Sequence, residues 1–133
     1  MGRIFRLAML CATPLAAILV SYTAAASEHS LQVLEFALAR GVAEREPTGV
    51  TDSFKRDDGR AYAYARIGNS AEPTTLFFVW RRGEKVHAVY TSTIGTSKRW
   101  RVWSYVSLQP GPWKVELVTK SGKIIGERSF YVE

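Results

Sequence analysis

From Leu31 to the C-terminus the sequence alternates between apolar runs of period two and clusters of turn residues, with no helical period in that span. Thr74 to Arg82 (TTLFFVWRR) is the most strand-like stretch, dense in the β-branched and aromatic residues that suit a pleated sheet. Arg82-Gly83 turns the chain into Lys85 to Ile94 (KVHAVYTSTI), and Gly95 to Lys98 turns it again into Trp100 to Leu108 (WRVWSYVSL). Pro110-Gly111-Pro112 breaks the next junction, Trp113 to Thr119 follows, and Ser121-Gly122 signals a two-residue hairpin into Lys123 to Val132. Upstream, Val33 to Ala43 and Arg60 to Ile67 (RAYAYARI) complete seven strand candidates, with Gly68 to Pro73 as a turn after the second. Glu44 to Arg60 reads as a long polar loop with room for a short strand near Val50 to Phe54. Short strands at about ten-residue spacing, with no crossover helix, predict an all-β fold. The specific expectation is an antiparallel immunoglobulin-like or fibronectin-like sandwich of about seven strands.

Parity assigns the faces. Trp113, Val115 and Leu117 share one side of their strand and point to the core, while Lys114, Glu116 and Lys120 take the other and face solvent. Trp100, Val102, Val106 and Leu108 point one way, leaving Arg101, Trp103 and Tyr105 opposite. Leu76, Phe78 and Trp80 face inward, yet Phe77 and Val79 leave the outer side of that strand apolar too. Leu34, Phe36, Leu38 and Val42 share one parity of the first strand. In the last strand Arg128 shares parity with Ile124, Phe130 and Val132, a conflict that a bulge near Gly126 relieves.

The start of the chain follows a different logic. Arg3 and Arg6 precede an uncharged apolar run from Leu7 to Val20, and Ala24-Ala25-Ala26 offers a small-residue exit. Those three parts make a secretory signal peptide. A membrane span would want about 20 apolar residues, and Pro14 interrupts this run. The expected division is a signal peptide over 1–26, a short flexible N-terminus over 27–32 and the sandwich over 33–133. If the leader stayed uncleaved, it would be the only membrane attachment. Cys11 is the sole cysteine and sits mid-run after Leu10, so it suits neither lipidation nor a disulfide. A domain with no covalent staple must be held by its core. An exported protein of the periplasm or cell surface is the expected location. The formal net charge of +6 includes Arg3 and Arg6, so without them the chain is only mildly basic. That favours anionic surfaces, glycans or proteins as partners and does not predict nucleic acid.

Catalytic chemistry finds little support. No cysteine follows the leader, so thiol catalysis and cysteine metal sites are excluded from the domain. Of the two histidines, His29 lies near the new N-terminus and His87 on the outer side of a strand, without converging partners. Asp57-Asp58-Gly59 suits a turn, and Asp52, Glu44 and Glu46 are interleaved with Lys55, Arg56 and Arg60 rather than grouped around a cation. Glu116 and Glu127 could meet across the last hairpin, but as solvent-facing residues beside Lys114 and Lys123 they do not read as a glycosidase pair. No metal, cofactor or catalytic residue is expected.

What stands out is an aromatic and cationic face. Arg99, Arg101, Trp103 and Tyr105 lie together after Lys98, with Phe77 beside them if the two strands pair. Rigid rings bury area at low entropic cost, and guanidinium groups add anion binding or stacking. Sheet packing alone also accounts for such rings, since cross-strand aromatic pairs stabilise a sheet.

Several motifs, taken in order, resemble a bacterial family labelled domain of unknown function 2914. They are Glu44-Arg45-Glu46-Pro47, Tyr62-Ala63-Tyr64-Ala65-Arg66, Thr74-Thr75 leading to Trp80, and Gly83. Arg99 to Ser104 (RWRVWS), Gly111-Pro112-Trp113-Lys114-Val115 and Phe130-Tyr131-Val132 follow. The resemblance implies a small exported β-sandwich module and carries no catalytic residues. Arg45, Glu46 and Pro47 enter as a family-like loop that shapes a turn or touches a ligand. The expected function is therefore a non-catalytic binding or interaction module recognising a protein or envelope component. A carbohydrate-directed module or small hydrolase using the aromatic face is an alternative, and a structural accessory of an envelope complex is another.

Overall fold

A computed structural model describes residues 30–133. The leader read in 1–26, together with Cys11 and His29, lies outside the described residues. The strands are β1 (Leu31–Ala43), β2 (Glu46–Val50), β3 (Ser53–Phe54), β4 (Arg60–Asn69), β5 (Thr74–Arg82), β6 (Lys85–Ile94), β7 (Ser97–Ser107), β8 (Gly111–Thr119) and β9 (Ile124–Val132), with a 3-10 turn over Arg56–Asp58. They form a four-stranded sheet in the order β2-β1-β4-β7 and a five-stranded sheet in the order β3-β9-β8-β5-β6. With the short β2 and β3 set aside, β1-β4-β7 faces β9-β8-β5-β6. That is the fibronectin-like form of the expected seven-stranded sandwich.

The core follows from an unequal division of side-chain volume. β4 turns Ala61, Ala63 and Ala65 inward, whereas β5 and β8 supply Leu76, Phe78, Trp80, Trp113, Val115 and Leu117. Small residues on one sheet make room for rings on the other, which is how interdigitating layers reach interior density. The Trp80 indole crosses between the sheets and donates to the Ser104 hydroxyl at 3.0 Å, satisfying the one polar atom it takes into the core. Phe130 stacks on Trp113 with centroids 5.9 Å apart and meets Trp80 and Phe54 edge-on at 6.2 and 5.2 Å. Each such pair contributes about 0.5–1.5 kcal/mol beyond area burial.

Four local expectations change. Glu44 to Arg60 is not one long loop, because Glu46–Val50 returns along β1 and Ser53–Phe54 adds to β9. The β3–β9 pair is parallel, so the five-stranded sheet is mixed. In β1 a register shift between Val33 and Glu35 puts Val33 opposite Ile67 and turns Leu34 outward, where it is exposed. The last hairpin closes on three residues rather than two. The Thr119 amide donates to Lys123, the Gly122 amide to Thr119, and Gly122 takes the left-handed conformation that ends such loops. The bulge expected near Gly126 is present, as partners step from Leu117↔Gly126 to Val118↔Ile124.

Candidate functional site

β4 and β7 are antiparallel neighbours, and their outward residues meet as Tyr62↔Tyr105, Tyr64↔Trp103 and Arg66↔Arg101. The Tyr62 and Tyr105 rings lie 5.1 Å apart, and Tyr64 stacks on Trp103 at 6.2 Å with an interplanar angle of 16°. The Arg60 guanidinium sits 4.6 Å over the Tyr105 ring. The outer face of the four-stranded sheet is thus a ladder of rings that ends in two arginines. Like charges directly opposite are unfavourable unless a counter-charge joins them.

That counter-charge comes from the β1–β2 hairpin. Ala39 pairs with Tyr62 on one side and Val50 on the other, so a flat continuation of β1 would carry Ala43 past the start of β4. Instead the hairpin curls back over the sheet. The Tyr64 hydroxyl donates to the Arg45 carbonyl at 2.7 Å, burying the tyrosine completely on what would otherwise be the solvent side. Glu46 reaches Arg66 at 3.0 Å and Arg101 at 3.4 Å, and Glu35 adds a second carboxylate 3.4 Å from Arg66. A hydrogen bond with the Tyr64 side chain, and more weakly the charges of Glu35 and Glu46, raise the Arg66 pKa above its ordinary value. The Tyr62 side chain does the same for Arg60. Both guanidinium groups are permanently charged.

The hairpin tip is built under strain. Ala43 pairs with Glu46, and both residues between them are left-handed, Glu44 at φ 53° and Arg45 at φ 62°. This backbone suits Gly and Asn, and other residues pay about 1 kcal/mol or more for it. The turn aims Arg45 toward the start of β7. Between them opens a cleft of about 570 Å³ lined by Arg45, Ser97, Arg99, Trp100, Arg101 and Trp103. Arg101 is engaged by Glu46, but among the described residues neither Arg45 nor Arg99 pairs with a carboxylate. Trp100 is held at the mouth by Gly95, where a Cβ would stand 2.7 Å from the indole ring.

Of the residues singled out in the sequence, Arg99, Arg101, Trp103 and Tyr105 share this face, and Arg45 and Glu46 join them from the hairpin. Pro47 lies behind, paired with Val42 in β2. Phe77 does not belong. β5 pairs with β6 and β8, so Phe77 projects from the other sheet, in register with Val118 and Thr91. Glu116 is not solvent-facing either. It is 5% exposed, held by Arg81 at 2.7 Å with Lys114 at 3.9 Å, and faces the exposed Glu127 across the hairpin. His87 is exposed and meets the edge of the Trp113 ring at 4.8 Å. Asp58 closes its own turn, accepting from the Lys55 amide at 2.8 Å. Among the described residues no three His, Cys, Asp or Glu side chains converge as a metal site would need.

Tyr62, Tyr64, Arg66 and Trp100 enter the sequence reading within the family-like motifs and not as site residues. The signal was present as two mirrored patterns, Tyr-x-Tyr-x-Arg over 62–66 and Arg-x-Trp-x-Tyr over 101–105, which match residue for residue when the strands run antiparallel.

Fold and face together define an all-β two-sheet sandwich with an aromatic–cationic cleft on its four-stranded side. Residues 73–132 match the family model described as protein of unknown function (DUF2914), the family that the motifs resemble. The match runs from β5 to β9, taking in Arg99 through Tyr105 and leaving Arg45 and β4 outside. No curated protein matches the chain. Among solved structures, a β-glucosidase from Kluyveromyces marxianus is 11% identical with a TM-score of 0.47, covering 78% of this chain and 14% of the enzyme. One from Listeria innocua in complex with glucose is 9% identical with a TM-score of 0.48, covering 77% of this chain and 15% of the enzyme. The chain therefore spans a small fraction of those proteins' length.

Proposed function

We propose that this domain is an exported, non-catalytic binding module of the periplasm or cell surface that recognises an anionic protein or envelope component through the cleft between the hairpin tip and β7. One observation carries the reading. A strained turn holds Arg45 over the sheet so that three arginines and two tryptophans, Trp100 and Trp103, surround one void. Strain of that kind persists where surrounding structure over-determines it, and it clusters at binding sites. Exposed rings beside guanidinium groups that meet no carboxylate among the described residues suit a partner with both flat apolar and anionic parts. Export rests on the leader pattern of residues 1–26.

The test is retention of envelope components by the full chain compared with the Arg101→Ala, Trp103→Ala double variant. Selective loss of a partner in the double variant, together with weaker wild-type retention as salt rises, is the expected result. If the folded double variant keeps every partner, the face is wrong. Cell fractionation that leaves the full-length chain in the cytosol would overturn the export part.

A carbohydrate-directed reading draws on a different feature, the half-open ring platform of Tyr62, Tyr105 and Trp103. Such a surface stacks sugar rings without needing charge. Salt-insensitive retention of a neutral glycan, lost in Trp103→Ala and kept in Arg99→Ala, would favour it.

A further inference from the structure

We infer that the free edge of β7 takes up an extended acidic segment of a partner protein as an added strand. Its carboxylates would lie against Arg99 and Arg101, and its apolar side chains beside Trp103 and Tyr105. This rests on the reading of the cleft as the binding site and names what enters it. The first support is the direction of the backbone. The Leu108 amide donates to the Gly59 carbonyl at 3.0 Å, so 59 and 108 are a hydrogen-bonded pair. Bonded and non-bonded pairs alternate along an antiparallel ladder. In the register of β4 and β7, Ala61↔Val106, Ala63↔Ser104 and Ala65↔Val102 are then the bonded pairs. Tyr62↔Tyr105, Tyr64↔Trp103 and Arg66↔Arg101 are the non-bonded ones. The N–H and C=O groups of Arg101, Trp103 and Tyr105 consequently point away from β4. These are the same residues whose side chains form the outer face.

The second support is that this edge is open. β7 is the last strand of its sheet and spans Ser97–Ser107, with no strand paired to its far side among the described residues. The Arg99 amide donates to the Ser97 hydroxyl at 2.9 Å, so the open stretch runs from Arg101 onward. Edges are ordinarily blunted by proline, bulges, short length or charged side chains, and the charges here, Lys98, Arg99 and Arg101, oppose a basic strand but not an acidic one. β7 contains no proline, and its register shift is confined to the start, between Ile67 and Asn69 of β4. The third support is the shape of the void. Arg99, Arg101 and Trp103 belong to the outer parity of β7 and Trp100 to the inner one, yet all line the same cleft, which therefore wraps around the edge.

Charge selects the occupant. A strand added here places alternate side chains about 5 Å from the outward residues of β7. Carboxylates at alternate positions would meet Arg99 and Arg101, with Arg45 closing from above. A second copy of the chain fits less well, since pairing two β7 edges brings two rows of arginines together.

The experiment uses the full chain and a labelled, end-capped peptide of about eight residues alternating Glu and Val, long enough to run along the edge. Anisotropy at low salt gives its affinity. Two twins carry N-methyl groups on one or the other set of alternate amides. A docked strand turns one set toward β7 and the other to solvent, so one twin should lose about tenfold or more and the other should bind like the parent. Arg99→Glu, which breaks no ion pair among the described residues, should weaken the parent by a similar factor with an unchanged circular dichroism spectrum. Equal binding, or equal loss, of both twins overturns strand addition. If that binding is still Arg99-dependent, the cleft survives as a side-chain site. Failure of this peptide while inorganic phosphate binds with Arg101 dependence also overturns the strand and spares the site. Failure of both probes sinks strand and site together. Sedimentation showing a dimer broken by Arg99→Glu would assign the edge to a second copy instead.

Discussion

The Tyr64 hydroxyl donates to the Arg45 carbonyl across 2.7 Å, and this bond fastens a hairpin tip to a sheet face that it would otherwise leave uncovered. Tyr64→Phe keeps the ring stack on Trp103 and removes the hydroxyl, with its bond to the Arg45 carbonyl and its interaction with Arg66. Because the Arg45 backbone can turn back to water, the cost should be near the ordinary value of about 1 kcal/mol. Thermal unfolding should move down by roughly 4–8 °C for a domain of this size. Amide exchange should quicken at residues 44–46 and hold steady in β8. Unchanged exchange at the tip would mean that Glu46 and its arginines alone keep the hairpin down.

The turn itself can be improved. Glu44 is left-handed at φ 53° without being Gly or Asn. Glu44→Asn should raise stability by about 0.5–1 kcal/mol, since Asn tolerates that backbone. Urea unfolding should show a higher midpoint at constant slope. Glu44→Val, β-branched at the same φ, should move the midpoint the other way.

Across the core, the Trp80 indole and the Ser104 hydroxyl are one unit. Ser104→Ala leaves a buried donor unsatisfied and should cost about 1–3 kcal/mol. Trp80→Phe removes that donor with part of the ring. The double variant should be less unstable than the two singles added together, by about 0.5 kcal/mol or more. Strict additivity would show that the bond contributes nothing.

How far the sequence could be read depends on what each strand has to say. β8 was legible because Trp113, Val115 and Leu117 alternate with Lys114 and Glu116, and the sheet buries the apolar set. β5 was half legible. Leu76, Phe78 and Trp80 do face the core, but parity says nothing about which strand lies alongside, so it leaves open whether Phe77 joins Trp103, and the two lie on opposite sheets. β1 misled at Leu34 because one bulge moves Leu34 out and Val33 in, and no glycine or proline marks the place. The hairpin over Tyr64 was invisible for a related reason. Its turn is Glu44-Arg45, which lacks the Asn-Gly or Asp-Gly signature, so Glu44 to Arg60 read as loop and Arg45 was not joined to β7. Alternation marks Glu116 as outward without revealing that Arg81 and Lys114 enclose it.

That enclosure gives the last prediction. The Glu116 side chain is 6% exposed and Arg81 34%, with Nε 2.7 Å from the carboxylate, so the anion is deep and its partner is partly wet. Breaking a fully buried pair costs roughly 3–5 kcal/mol, because the remaining charge is stranded. Here Lys114 stands 3.9 Å from the other carboxylate oxygen and can compensate in part. Arg81→Met should therefore cost less, about 2 kcal/mol, once solvent screening of the exposed guanidinium is allowed for. Arg81→Met with Glu116→Leu should recover most of that loss, since replacing both members with apolar groups of similar volume is often neutral. Urea, unlike guanidinium chloride, leaves the charge interaction unscreened and is the denaturant to use. A double variant as unstable as Arg81→Met alone would mean that the pair fixes the outer face of β5 and β8 by geometry, through more than its charge.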